Sequence, residues 1–176
     1  MMLIAALLAA AVPLAAQPAE EASIVAPHDA EDVAAIDRVM RDVYAVISGP
    51  AGQERDWDAM RAMFTDDARL YAITPQGLRG GTVDDYITSS GPFLIENGFT
   101  EREIGHRLEL YGNLAQVWSS YEGTFTMDGE LRRVRGINSF QLMQDGSGTW
   151  KVHSILWQQE TPTMPLPIDM DNQGGD

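Results

Sequence analysis

A chain of 176 residues with 44% hydrophobic and 22% charged residues has the size and composition of one globular domain. Its net charge of −14 repels phosphate backbones and anionic lipid heads, which argues against nucleic-acid partners and peripheral membrane attachment. The absence of cysteine excludes disulfides, thiolate metal sites and cysteine nucleophiles, so packing alone must hold the core.

Residues 1–16, MMLIAALLAAAVPLAA, carry no charged side chain. The apolar run from Leu3 to Val12, the helix-breaking Pro13 and the small residues ending at Ala16 read as a secretory signal. The run is shorter than the roughly 20 residues a membrane-spanning helix needs. The expectation is a periplasmic or secreted protein with no membrane attachment after cleavage. Residues 17–28, rich in Ala, Glu and Pro, read as a linker, and 29–160 as the folded domain. Residues 161–176, with three prolines and the pair Gly174-Gly175, read as an irregular tail.

Within the domain, Val33, Ile36, Met40, Val43, Tyr44 and Ile47 recur at helical spacing, with Asp29 placed as N-cap and Gly49-Pro50 as the stop. Asp56 caps a second, shorter helix with Trp57, Met60 and Phe64 on one face, and Arg69 to Thr74 reads as a strand. Thr82, with Asp85 three residues on, opens a third helix interrupted near Gly91-Pro92. From Phe99 the period changes to two. Four runs, Glu101 to Tyr111, Leu114 to Met127, Glu130 to Met143 and Thr149 to Gln159, are separated by the turn signals Gly112-Asn113, Asp128-Gly129 and Asp145 to Gly148. They predict a meander of long antiparallel strands.

Helices first and a long-stranded meander last is the order of the nuclear-transport-factor-2-like superfamily. The stretch Trp57-Asp-Ala-Met-Arg-Ala-Met-Phe64-Thr-Asp66-Asp67-Ala68 resembles that family's second helix and the start of its first strand, and Gly148-Thr-Trp150-Lys-Val152 resembles its closing strand. Gly112 to Val117 through Tyr121-Glu122, then Arg135 to Leu142, resemble an exported bacterial, SnoaL-like subgroup without an assigned activity. The resemblance implies an α+β, cone-shaped roll: N-terminal helices packed on a strongly curved, mostly antiparallel sheet that encloses a pocket, often dimerising through the sheet. The superfamily contains ketosteroid isomerases, dehydratases, polyketide cyclases and plain binding domains, so the fold alone selects no chemistry.

Two-residue turns fix strand register. With Asp128-Gly129 as loop residues, Met127 faces Glu130, Tyr121 faces Gly136, Ser119 faces Asn138 and Val117 faces Phe140. With Gly112-Asn113, Tyr111 faces Leu114, Leu108 faces Val117, His106 faces Ser119 and Ile104 faces Tyr121. One side of these strands then carries Ile104, Leu108, Leu110, Ala115, Val117, Tyr121, Phe125, Val134, Phe140 and Leu142 and must be the covered side. The other carries Glu103, Arg107, Glu109, Glu122, Arg133 and Arg135 and suits solvent. On the covered side His106, Ser119 and Asn138 form one polar row, with Tyr121 in the next. A buried polar group without a partner costs on the order of 1–3 kcal/mol, so such a row is either a self-satisfied network or a ligand site.

For the last strand a four-residue loop turns His153, Ile155 and Trp157 inward. A five-residue loop puts Trp150, Val152 and Leu156 in the core instead, with Trp157 outside. The second matches the family pattern and is preferred, and it leaves Trp118, Ile137 and Trp157 as an outer patch suited to a homodimer. Three histidines, none at ligand spacing, give no metal site, and no motif calls for a cofactor. Asp66-Asp67 reads as a turn and cap.

The leading expectation is therefore an exported domain that binds a small apolar or amphipathic molecule against His106, Ser119, Tyr121 and Asn138. The alternative is a cofactor-free lyase or isomerase with His106 as general base and Tyr121 as hydroxyl donor. No carboxylate shares the row, and an acidic or second histidine partner would come from Asp66, Asp67 or His153. A third possibility is a structural or interaction dimer with a filled interior.

Overall fold

A computed structural model describes residues 30–171. The signal, the linker, the Asp29 cap and the last five residues lie outside them. Helix α1 (Ala30–Val46) buries Ile36, Met40, Val43 and Tyr44, the stripe its spacing predicts. The short helix α2 (Trp57–Ala62) is capped by Asp56, whose carboxylate accepts the Ala59 N–H at 2.9 Å. Phe64 is not on that helix. It opens β1 (Phe64–Thr74), longer than the strand expected, and is still buried. β1 returns in a hairpin to β2 (Gly77–Gly81), which the sequence pattern does not announce.

Helix α3 (Val83–Asn97) begins with the expected Thr82/Asp85 capping box, but it runs through Gly91-Pro92 without a break. Proline deletes one helical N–H and leaves the rest of the ladder able to form. The meander follows as β3 (Thr100–Tyr111), β4 (Leu114–Met127), β5 (Glu130–Gln144) and β6 (Trp150–Gln159). The sheet order is β2-β1-β6-β5-β4-β3, with β1 parallel to β6 and every other pair antiparallel. This is the α+β roll, three helices packed on one curved sheet.

The two tight turns set the register as expected. Asp128 takes φ 54 and Gly129 φ 76, the left-handed pair that matches strand twist, and Met127 faces Glu130. Ser119 faces Asn138 and His106 faces Ser119. One pairing fails: Ile104 does not face Tyr121, because a bulge between Glu103 and Gly105 brings Glu103 opposite Tyr121. A second bulge resolves the last strand by combining both readings. Gln141 faces Ser154 and Leu142 faces Val152, so His153 is the extra residue. Trp150 and Val152 are buried before it, and Ile155 and Trp157 point inward after it, while Leu156 is exposed. Trp157, expected outside, thus lines the inner cavity and packs edge to face on Tyr86, while it still borders the outer groove, where the exposed Leu156 joins Trp118 and Ile137.

The segment expected as a tail continues along the outer face of the sheet. Leu166 and Met170 are buried, a 3-10 turn spans Ile168–Met170, and the Ser120 hydroxyl donates to the Met170 carbonyl at 2.7 Å. Asp171 pairs with Arg135 at 2.5 Å, and Asp169 pairs with Arg107.

Candidate functional site

Polar stitches bring the end of α1 to the start of β3. The Ser48 hydroxyl lies 2.7 Å from the Tyr44 carbonyl and 3.2 Å from the Glu101 carbonyl, and accepts the Glu101 N–H at 2.9 Å. Gly49 N–H donates to the Phe99 carbonyl at 2.8 Å. The buried Arg55 guanidinium donates to the carbonyls of Ile47 (3.1 Å), Gly49 (2.7 Å) and Leu94 (3.0 Å), and to that of Gln53, tying the helix ends to the loop between them. These contacts hold the Tyr44 side chain against the covered face of the sheet.

The bulge at Ile104 decides what β3 presents there. In uninterrupted alternation Ile104 and Arg102 would share the inner face with His106. The extra residue reverses parity, so Glu103 and Glu101 turn inward and Arg102 turns out to meet Glu122 at 3.1 Å. Keeping a guanidinium out of the core is the physical gain. Glu103, expected on the solvent side, is thus corrected to the inner one.

The two carboxylates have different surroundings. Glu103 Oε2 is 3.0 Å from His106 Nδ1, and Glu103 Oε1 accepts the Ser119 hydroxyl at 2.5 Å. Since the Ser119 proton goes to a carboxylate, which only accepts, the 2.7 Å contact between Ser119 and Tyr44 must have the Tyr44 hydroxyl donating. Asn138 then donates one amide hydrogen to the Tyr44 oxygen at 3.1 Å and reaches Glu101 Oε1 at 3.4 Å. The network runs from Asn138 through Tyr44 and Ser119 to Glu103, with the imidazole on its outer side. His106 Nε2 is also 3.7 Å from Asp37. The hydrogen bond that the imidazole donates to Glu103 is the main cause holding the His106 pKa above its ordinary value, against the opposing effect of burial. Among the described residues no cation forms an ion pair with Glu101 or lowers its pKa, although Arg41 and Arg102 line the groove on its other side. Burial pushes its carboxyl up to about 7, only partly offset by the Asn138 amide.

Glu101 lines a cavity of about 310 Å³ between helices and sheet. The rest of the wall is mostly apolar, with Tyr86 from α3, Tyr121 from β4, Asn138 from β5 and Trp157 and Gln159 from β6 among its polar members. Tyr121 is 4% exposed and lies over Gly136, where an added Cβ would meet the phenol oxygen at 2.7 Å and the Gln158 carbonyl at 2.3 Å. Glycine there is what lets the phenol cross β5. Burial, then the Glu101 charge, push the phenols of Tyr44, Tyr86 and Tyr121 well above the ordinary tyrosine value, so they act as hydroxyls. Tyr44 and Glu101 also form the wall of a second, more open groove with Asp37, Arg41, Ser48, Glu103 and His106.

The four residues singled out from the sequence thus separate. Asn138 and Tyr121 line the cavity. Ser119 is fully buried behind Tyr44 and serves the network. His106 belongs to the outer groove and does not line the cavity, so it has no direct reach to a molecule held there. Its acidic partners are Glu103 and Asp37, not Asp66 or Asp67. His153 lies elsewhere, 3.1 Å from Thr65 and 3.6 Å from Asp67. Sequence reasoning missed Glu101, Glu103, Tyr44 and Tyr86. The one signal for the two carboxylates was Gly105 inside a strand, a mark of bulges. Among the described residues no group of three or more His, Asp or Glu is placed to hold a metal ion.

No family model matches the sequence, and no curated protein matches it either. Solved structures do match its backbone. A nuclear transport factor 2-like superfamily protein from Salmonella enterica is 14% identical over 82% of this chain and 94% of its own, with a TM-score of 0.54. This chain has the nuclear-transport-factor-2-like fold. A protein from Novosphingobium aromaticivorans provisionally named a scytalone dehydratase is 15% identical over 74% of this chain and 85% of its own, at a TM-score of 0.56. Another from Shewanella frigidimarina, provisionally named a ketosteroid isomerase, is 13% identical over 70% of this chain and 94% of its own, at 0.53. Identities this low carry the fold and nothing of activity.

Proposed function

We propose that this chain is an exported small-molecule-binding protein whose cavity takes a small, largely apolar molecule and holds its polar end against Glu101 and Asn138. One observation carries the reading: a mostly apolar wall has one carboxyl group on it, Glu101, with one amide in reach. Export is supported by the uncharged apolar run at residues 3–12. The test is native mass spectrometry of the mature protein, expressed with its leader and purified without denaturation. A bound species of small mass that disappears in Asn138→Leu and Glu101→Gln is expected. An empty protein whose melting temperature no apolar probe raises would remove the reading.

A second reading is favoured by Glu101 alone. A carboxyl near 7 is matched to proton abstraction at neutral pH, with the Tyr121 hydroxyl donating to the oxygen that gains charge, since the Tyr44 proton is already committed to Ser119. It would make the chain a cofactor-free isomerase or lyase with Glu101, rather than His106, as base. The structural neighbours named for a dehydratase and an isomerase give this reading its precedent. Turnover that rises with pH through about 7, is lost in Glu101→Gln and survives His106→Gln is its signature. The exposed outer patch of Trp118 and Leu156 is where we place a second copy, tested by light scattering of Trp118→Glu.

A further inference from the structure

All five phenylalanines of the chain line the Glu101 cavity, together with Tyr44, Tyr86, Tyr121 and Trp157. No Lys, Arg or His lines it. Several rings are set edge to face, Phe93 with Phe125 at 5.1 Å and Tyr86 with Trp157 at 6.3 Å between centroids. A wall of ring faces and edges with one uncompensated carboxyl is the environment that attracts an organic cation: ring quadrupoles favour positive charge, and the carboxylate gains the counter-ion it lacks. A net charge of −14 adds a field that concentrates cations around the molecule.

We propose that the ligand of this cavity is an organic ammonium ion with an apolar body, its cationic head paired with Glu101 and enclosed by the aromatic wall. The inference rests on the binding reading above and names the ligand class. A neutral carbonyl compound would instead need Glu101 to be the hydrogen-bond donor, and the two make opposite demands on that carboxyl.

The probes are benzyltrimethylammonium and neopentylbenzene, which share a shape and differ in charge, measured by tryptophan fluorescence and calorimetry on the full chain. The cation should bind more tightly than its isostere and strengthen as pH rises through about 7, where Glu101 ionises. Tyr44 of α1, Tyr86 of α3 and Tyr121 of β4 also face Glu101 but stay protonated in that window. His106 titrates behind Glu103, and His106→Gln should leave the effect in place. Glu101→Gln should weaken the cation by about tenfold or more and leave the isostere unchanged. Should that variant fail to fold, Phe93→Leu, at a partly exposed ring, should still weaken the cation more than the isostere. Equal or tighter binding of the isostere overturns the cation assignment and leaves the binding reading intact. Binding of neither probe overturns both.

Discussion

Glu101 and Glu103 sit two residues apart on one strand and point to the same side of the sheet, yet their surroundings have little in common. Glu103 has an imidazole on one oxygen and a serine hydroxyl on the other. Glu101 has one long contact to an amide and an apolar cavity in front of it. The first carboxylate is satisfied and organises the polar network. The second is left with spare capacity, and its raised pKa is the consequence. Residue type and position therefore do not distinguish a satisfied carboxylate from one with spare capacity. The number of partners does.

The comparison breaks first at Glu101. In the fold this carboxyl keeps its proton up to about 7, whereas the unfolded chain loses it near the ordinary 4.5. Between those values the folded state binds more protons, so stability falls as pH rises through the window and levels off above it. Glu101→Gln should therefore stabilise the protein by on the order of 3 kcal/mol at pH 8, with no gain at pH 4, by chemical denaturation. A smaller effect is expected at the link between the carboxylates. Tyr44→Phe removes the hydroxyl that joins Ser119 to Asn138 and should cost about 1–2 kcal/mol. At Glu103 the readout is local: Glu103→Gln should lower the His106 pKa without moving the Glu101 midpoint, by NMR titration of both side chains. The smallest change belongs to His106→Ala. The stability its raised pKa contributes is present below the ordinary 6.5 and fades as pH rises past the folded value, so a loss under about 1 kcal/mol should appear at pH 5.5 and shrink by pH 9.

Much of the fold was legible because its determinants are local. The helical stripe ending in Tyr44 and Ile47, the Thr82/Asp85 box, and the tight turns at Gly112 and Asp128 each act over a few residues. The site was less legible for one physical reason. Strand parity carries the whole inside-outside assignment, and one inserted residue inverts it. Ile104 does so on β3 and His153 does so on β6, which moved Glu101, Glu103 and Trp157 inward and Leu156 outward. Bulges have weak sequence signatures because they answer to packing across the sheet. The β2 hairpin escaped for a related reason, since Gly77, Gly80 and Gly81 supply conformational freedom and no alternation. Tyr44 was visible as a buried helix position, but that its hydroxyl would meet Ser119 and Asn138 depends on contacts across 75 and 94 residues of sequence.

The most direct measurement is a carbon-detected NMR titration of the Glu101 side-chain carboxyl in the ligand-free protein. A midpoint at about 7 is expected, displaced downward when benzyltrimethylammonium is bound. A midpoint at the ordinary 4.5, unmoved by the cation, would mean that Glu101 is solvated like any surface carboxylate, and that the cavity holds no working acid.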